Sequence, residues 1–390
     1  MNKEWEIKKL GEVCDVEYGT RVVQKRDGGS IYPVYGGGGA TFFMDTFNRE
    51  NNLVVARFAM SAQCTRYVKG KFFLNDSGLT IKPKNKEELS HDFLNLQMVF
   101  LNDIIYSLGR GTAQKNLDVD AFRNLEVIYP KSLPEQRRIV SILDECFSAI
   151  ERSRKNAEQN LKNAKKLFES YLQGVFGSTG SPTVETREGW KVKQLKEVAK
   201  HSLGKMLDKN KNKGEFKKYL RNQNVRWFEF DLSDLNEMPF LENEHEKYSA
   251  FRGDVLICEG GYPGRSAIWD EEYPIFFQKA IHRVRFHKQE YNKWFLYYLF
   301  LLDSTGTLKD HFTGTGIQHF TGESLGKLLV PIPPLTMISA LVSQLDALRT
   351  ETQKLEAIYQ KKIANLDELK KSILKQAFAG ELTENELQYD

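Results

Sequence analysis

Cysteine is scarce in this chain. There are four among 390 residues, Cys14, Cys64, Cys146 and Cys258, and no CxxC spacing joins them. Neither a disulfide framework nor a thiolate metal site is expected, and isolated thiols suit a reducing compartment. The seven histidines are scattered, with no HExxH and no Cys/His cluster, so zinc is not expected. No run of about eighteen apolar residues exists, so no membrane span or membrane partner is expected. Residues 1–5, Met-Asn-Lys-Glu-Trp, hold no apolar signal core, which makes the expected location cytoplasmic.

Catalytic signatures are missing too. The glycines at 36–39 are followed by Ala40 and Thr41, not by the Gly-Lys-Ser/Thr of a phosphate loop or the GxGxxG of a dinucleotide fold. A flexible turn is the better reading. A DNA-amine methyltransferase needs an (Asp/Asn)-Pro-Pro-(Tyr/Phe) loop; the Pro-Pro here, Pro333-Pro334, lies between Ile332 and Leu335. No Ser/His/Asp set and no carboxylate cluster with lysine stands out. The expectation is a protein with no catalytic, cofactor or metal site of its own.

What is present is repetition. Two long stretches, 133–177 and 335 onward, align at one offset, pairing Val140 with Val342, Leu143-Asp144 with Leu345-Asp346 and Phe176 with Phe378. Apart from Pro134 at its start, neither stretch contains proline, and each carries an apolar stripe. In the first, Ile150, Ala157, Ala164 and Tyr171 keep a seven-residue register, flanked by Phe147, Leu161 and Phe168. In the second, Leu345, Tyr359, Leu366 and Ile373 do so around Thr352, with Leu348, Leu355 and Leu369 three residues on. This is the pattern of coiled-coil packing. A helix of about 40 residues is ~60 Å long. No small core surrounds such a rod, so the two helices are expected to pack on each other. The repeat extends upstream: Glu4-Trp5-Glu6-Ile7 to Glu12-Val13 echoes Gly189-Trp190-Lys191-Val192 to Glu197-Val198. If both copies obey one pseudo-twofold, the helices run antiparallel.

Each helix follows a variable unit of mixed α and β. In the first unit, 31–35, 53–58 and 71–74 read as strands and 93–108 as a helix, with a strongly twisted or barrel-like sheet expected. In the second, 218–221, 254–257 and 281–286 read as strands and 294–302 as a helix. Residues 177–182 are turn-rich and form a linker.

The net charge of +4 identifies no partner, but its distribution is suggestive. Residues 191–226 hold ten lysines and two arginines against Glu197, Asp208 and Glu215, a candidate phosphate-contacting surface. Lys205, Lys209, Lys211 and Lys213 lie within it. Arginines and amides also collect on glycine-bearing loops: Arg21, Lys25 and Arg26, then Arg110, Thr112, Gln114 and Asn116. In the second unit the candidates are Arg221, Asn222, Asn224 and Arg226, then Arg265, then Gln318 and His319. Arginine pairs bidentately with guanine and Asn or Gln with adenine, whereas lysine holds phosphate without reading sequence. These residues point to recognition of double-stranded DNA.

The whole chain resembles the specificity subunit of type I restriction-modification systems. The resemblance rests on Ile31-Tyr-Pro-Val-Tyr-Gly-Gly-Gly-Gly39, Leu133-Pro-Glu-Gln-Arg-Arg-Ile-Val140, Tyr219-Leu-Arg-Asn-Gln-Asn-Val225, Gly253-Asp-Val-Leu-Ile-Cys-Glu-Gly-Gly261 and Phe378-Ala-Gly-Glu-Leu-Thr383. It implies an α+β chain with two mixed α/β target recognition domains, separated by a long antiparallel two-helix coiled coil in a pseudo-twofold repeat. On that reading 1–132 and 189–333 are the recognition domains, 133–177 and 334–378 the spacer helices, 178–188 a linker, and 379–390 a tail near the N-terminus. Each domain is expected to read half of a bipartite target. Two methyltransferase subunits and restriction/translocase subunits are the implied partners, bringing S-adenosylmethionine, ATP and Mg2+. One departure stands out: the second helix begins Leu335-Thr-Met-Ile338 where the first has Leu133-Pro-Glu-Gln136. Two other readings remain open at this stage. One is a single-chain DNA methyltransferase or restriction enzyme with its own catalytic site; the other is a purely structural coiled-coil scaffold.

Overall fold

The computed structural model describes residues 4–177, 189–208 and 212–382. The linker expected at 178–188, Lys209, Lys211 and the tail from 383 on lie outside these residues. The chain forms two compact units, Met1–Glu158 with Gln360–Asp390, and Gln159–Tyr359.

In the first unit, strand Trp5–Lys9 pairs antiparallel with Glu126–Pro130. A helical turn, Leu10–Val13, buries Leu10 and Val13 and passes the chain into a sheet. That sheet has six strands in the order Cys14–Tyr18, Gly78–Pro83, Arg49–Ala56, Thr65–Leu74, Tyr32–Tyr35, Ala40–Met44. It is open, not a closed barrel. Residues 53–56 are buried without interruption, which is why they read as a continuous apolar run instead of an alternating one. Helix His91–Phe100 packs Phe93, Leu94 and Met98 into the same core. The single helix expected over 93–108 is two, His91–Phe100 and Asn102–Ser107, meeting at Leu101. Asn102 causes the break. Its Oδ1 accepts from the Cys64 and Thr65 amides at 3.0 and 3.1 Å, so its side chain is committed to the sheet.

The second unit repeats this plan. Lys191–Gln194 pairs with Leu329–Ile332, and the turn Leu195–Val198 leads into Ala199–Leu203. Here the sheet is split in two. One part runs Ala199–Leu203, Ile281–Phe286, Val255–Cys258, Ser266–Ile268; the other runs Asn236–Phe240, Glu215–Leu220, Ile275–Phe277, Ser249–Ala250. Joined end to end, these strands reproduce the order of the first unit. The long strands Arg49–Ala56 and Thr65–Leu74 have each become two short ones. Both units keep a parallel strand pairing, Tyr35 with Leu74 and Leu220 with Phe277. Gly19 and Gly204 hold equivalent places, where a Cβ would lie 1.8 Å from Asn75 O and 2.4 Å from Gln278 O. No other residue fits so close to a crossing backbone.

The long helices are Leu133–Phe176 and Leu335–Ala379. Glycines with positive φ, Gly177 and Gly380, follow their ends. They run antiparallel. Within the first unit Arg154 Nη1 lies 2.5 Å from Asp367 Oδ1; within the second, Tyr171 Oη lies 3.3 Å from Gln344 Oε1. The seam buries Ala157, Ala164, Phe168, Leu345 and Thr352, whose hydroxyl donates back to Leu348 O and Arg349 O. Leu355 and Leu369, expected beside the stripe, are exposed. Small residues in the seam leave little room for flanking leucines to be covered.

Gln136 explains the departure between the helix starts. It is fully buried, its Nε2 donating to Glu88 O and Pro130 O at 2.8 Å and its Oε1 accepting from Ser90 N at 2.7 Å. The amide clamps the helix to its own unit. The second helix has Ile338 there, buried in an apolar core.

Candidate nucleic-acid interface

Both units bring three loops together. In the first they are residues 36–39, residues 57–61, and the hairpin closed by Gly109–Arg110 and Asn116–Leu117. Leu117 N donates to Arg57 O at 2.8 Å and Met60 N to Lys115 O at 2.9 Å. Ala59 N donates to Asn116 Oδ1 at 3.2 Å. A Cβ on Gly37 would come 2.7 Å from Phe58 O, so glycine lets the first two loops touch.

In the second unit the loops are 221–235, 259–265 and 313–319. Phe320 N donates to Glu259 O at 2.8 Å, the counterpart of the Leu117–Arg57 bond. Asn222 Nδ2 donates to Gly260 O and Arg265 Nη2 to Asn222 O, both at 3.0 Å. The last loop is closed by the backbone pair Thr313 and His319. Gly111 and Gly314 make the same turn in the two units, at φ 111° and 106°. The scaffold is shared, and the side chains on it differ.

These loops also sort the expected contacts. Arg21, Lys25, Thr112 and Gln114 are exposed in the first unit, as are Lys213, Gln318 and His319 in the second. Arg26 pairs with Asp27 at 2.8 Å, and Arg110 is ion-paired with Asp118, yet both keep most of their side chain in solvent. Hydrogen bonding to Arg26 holds Asp27 below the usual carboxylate range. Arg226 is half-exposed and tied to Gln223 O and Asp231.

Three expectations change. Lys205 is not a surface phosphate contact. Its ammonium is buried, donating to Pro239 O at 2.8 Å and to Glu244 at 2.5 Å. Asn224 is 2 % exposed, and its amide joins Arg221 N to Asp231 O and Asp234 O, so it braces the loop and faces no solvent. Arg221 is largely covered and bonded to Asp234 O and Oδ2 at 2.8 Å. The loop's own ladder is only the short pairing of Val225–Arg226 with Glu229–Phe230, so elsewhere in it side chains must satisfy the backbone. The polar residues that looked like readers supply that frame.

The sequence reading missed Arg57. Its guanidinium stacks 4.8 Å from the Tyr18 ring and 4.5 Å from the Phe58 ring, at the junction of the three loops. Glu259 occupies the same place in the second unit, where burial pushes its carboxyl above the usual range. The available signal was position: Arg57 directly follows the buried strand ending at Ala56, as Glu259 directly follows the one ending at Cys258.

Among the described residues no group of acidic, histidine or cysteine side chains could hold a metal, and no helix is long and apolar enough to cross a membrane.

Comparison with known proteins gives a consistent picture. The family model described as type I restriction modification DNA specificity domain matches twice, over residues 2–160 and 187–376. A protein of Haemophilus influenzae named as a type I restriction enzyme specificity subunit, S.HindORF215P, is 24 % identical over 370 residues, covering 90 % of this chain and 89 % of its own length. A chain solved in work on complex assembly and conformational transition of the type I R-M system superposes with a TM-score of 0.78 at 18 % identity, covering 98 % of this chain and 99 % of that one. The HsdS subunit from Thermoanaerobacter tengcongensis gives a TM-score of 0.55 at 20 % identity, with 98 % of each chain covered.

Proposed function

The chain belongs to the type I restriction-modification DNA specificity family, and from that premise we propose that each unit reads one half of a bipartite DNA target through its three-loop cluster. One observation carries this reading. Equivalent loops stand on equivalent scaffolds, bearing Arg57, Thr112 and Gln114 in one unit and Glu259, Gln318 and His319 in the other. Two copies of one reader with different side chains suit two different half-sites. Arg21, Lys25, Arg26 and Arg110 are assigned to the first half-site, and Lys213, Asn222, Arg226 and Arg265 to the second. Lys209 and Lys211 join Lys213 as phosphate contacts.

The antiparallel helices are assigned two roles, setting the unread gap and docking two methyltransferase subunits. The chain itself performs no chemistry. S-adenosylmethionine belongs to the methyltransferase subunits, and ATP and Mg2+ to restriction/translocase subunits. The setting is cytoplasmic.

The test is reconstitution. The purified chain should bind duplex DNA without methylating it, and methylation of one bipartite sequence should appear when methyltransferase subunits are added. Arg57→Ala and Gln114→Ala should relax one half-site and leave the other intact. Methylation by the chain alone, or relaxation of both half-sites together, overturns the reading.

A further inference from the structure

The two units carry the same hollow in the same place, lined differently. In the first, about 400 Å³ lies between strand Thr65–Leu74, helix His91–Phe100 and the first long helix. In the second, about 440 Å³ lies between Ser266–Ile268, Tyr291–Thr305 and the second long helix. Strand register and ring contacts fix the correspondence. Leu53 faces Tyr67 as Val255 faces Ile268, and Trp5 meets Phe93 edge-on as Trp190 meets Trp294. Counting from these anchors, Asp92 matches Lys293, Asn95 matches Leu296 and Leu96 matches Tyr297. Asp144 matches Asp346, as the repeat already required.

The second unit satisfies its carboxylate from within. Lys293 Nζ lies 2.7 Å from Asp346 Oδ2, and Tyr297 donates its hydroxyl to Oδ1 at 2.5 Å. The first unit has neither partner. An aspartate stands where the lysine was and a leucine where the tyrosine was. Burial, and then the Asp92 charge, pushes Asp144 above the usual carboxylate range; the same two acids, after burial, raise the Tyr67 phenol. Lys69 and Lys370 also line the hollow, but Lys370 lies over the Phe147 ring at 4.9 Å, and among the described residues neither lysine pairs with the two acids.

A second observation is independent of the charges. Asn95 lines the hollow at 3 % exposure, and neither its Oδ1 nor its Nδ2 has a hydrogen-bond partner. A buried amide left unmatched on both atoms keeps the full desolvation penalty of each group. Leucine at the matching position of the second unit incurs no such cost.

We propose that the first-unit hollow binds an aliphatic guanidinium group supplied from outside the chain. It takes the place that Lys293 fills in the second unit. A planar fork with five donors can reach Asn95 Oδ1 and a carboxylate at once, which an ammonium does less well. Leu96, Val99 and Val140 offer an apolar wall for the methylene stem. The group can belong to a free alkylguanidine or to an arginine side chain of another protein.

The test uses the full chain, isotope-labelled, with the Asn95 side-chain amide followed by NMR. Titration with n-butylguanidinium and with N-acetyl-arginine-N-methylamide should shift that amide saturably. Tighter binding of the blocked arginine assigns the site to a protein side chain; equal binding assigns it to a free guanidine. Asp92→Lys imports the second unit's own solution and should abolish binding while the melting temperature holds or rises. Asp144→Asn should weaken it by about tenfold or more, the loss of one charge-assisted contact. No saturable shift from either probe, equal shifts with n-butylammonium, or unchanged binding by both variants overturns the proposal.

Discussion

The hairpin loop that joins the strands at 35 and 40 in the first unit, and at 220 and 236 in the second, is one position solved in two ways. The first copy uses Gly36, Gly37, Gly38 and Gly39. The second uses residues 221–235, held by Arg221, Asn224 and Asp234. Much of the length difference between the copies sits here. A short glycine loop needs no internal support, because strand pairing on either side closes it. A longer loop carries backbone groups beyond the flanking strands; the short pairing of Val225–Arg226 with Glu229–Phe230 takes some of them, and the rest must find other partners. The added residues are therefore largely self-serving, and only what remains outside that frame can meet DNA.

The comparison breaks most visibly at Asn224. Asn224→Ala removes three hydrogen bonds and strands Arg221 N and Asp231 O, while Asp234 O keeps its bond from Arg221. The second unit should lose about 3 kcal/mol or more, read as a lower denaturant midpoint. One half-site should blur with it, through loss of the loop's shape. If Asn224→Ala leaves stability unchanged while altering one base preference, Asn224 is a reader after all.

A similar effect separates the copies by pH. His282 sits in the core of the second unit, where the first has Leu79 at the same register. Burial holds its pKa down to about 4, against the opposing hydrogen bond of Nε2 to Phe320 O at 3.0 Å, and nearby His201 adds to the depression. The unfolded chain titrates near 6.5, so below that pH the unfolded state binds the extra proton. Stability is fully present above about 6.5 and falls as pH drops toward 4, by about 3 kcal/mol in all. Between pH 6.5 and 5, before most carboxylates titrate, thermal scans should show the second unit weakening first. His282→Leu should flatten that slope. An unchanged slope in the variant removes His282 as the cause.

Next comes Lys205, whose counterpart is Thr20: Thr20 N bonds Leu74 O as Lys205 N bonds Phe277 O. Lys205→Met leaves Glu244 without its partner, and because that carboxylate is partly exposed the loss should be about 2 kcal/mol. The salt dependence of DNA binding should stay as it was. Lys213→Ala should do the reverse, lowering the salt slope by about one unit without touching stability. A shallower slope in Lys205→Met would return that lysine to the DNA surface.

Much of the architecture was legible because its signals are long. Forty-odd residues without an interior helix breaker, with Ala157 and Ala164 on the stripe of the first and Leu345 on that of the second, specify paired helices whatever surrounds them. The repeat was legible because Trp5 and Trp190 head identical strand-turn-strand openings. The sites were less so, since a polar side chain on a glycine-bearing loop reads the same whether it faces base or backbone. Asn224 and Lys205 looked like contacts because residue type carries no direction. Arg57 looked like the end of a strand because nothing in its neighbours says that three loops converge there. The split of the second sheet was hidden for a related reason. A strand interrupted at Gly253, φ 92°, differs from a continuous one by a local turn that composition barely marks.

The smallest expected effect sharpens the comparison from the other side. A Cβ added at Gly38 would meet open space, with no atom within 4 Å, and the φ of Gly38 is not in the left-handed region. Gly36 and Gly37 differ, since a Cβ there would lie 2.4 Å from Asn75 Oδ1 and 2.7 Å from Phe58 O. Gly38→Ala therefore costs the folded state nothing by contact and narrows the unfolded ensemble, a gain of roughly 0.4–1 kcal/mol. The melting temperature should hold or rise slightly. Gly37→Ala should lower it, because the carbonyl of Phe58 must move. If the first loop acts on DNA, Gly38→Ala will change methylation at the first half-site alone, in a protein as stable as its parent. That outcome isolates recognition from folding, which Arg221 and Asn224 in the longer loop cannot do, since those side chains hold the loop. A several-degree drop for Gly38→Ala would mean that the glycine loop, too, is built by contacts of its own.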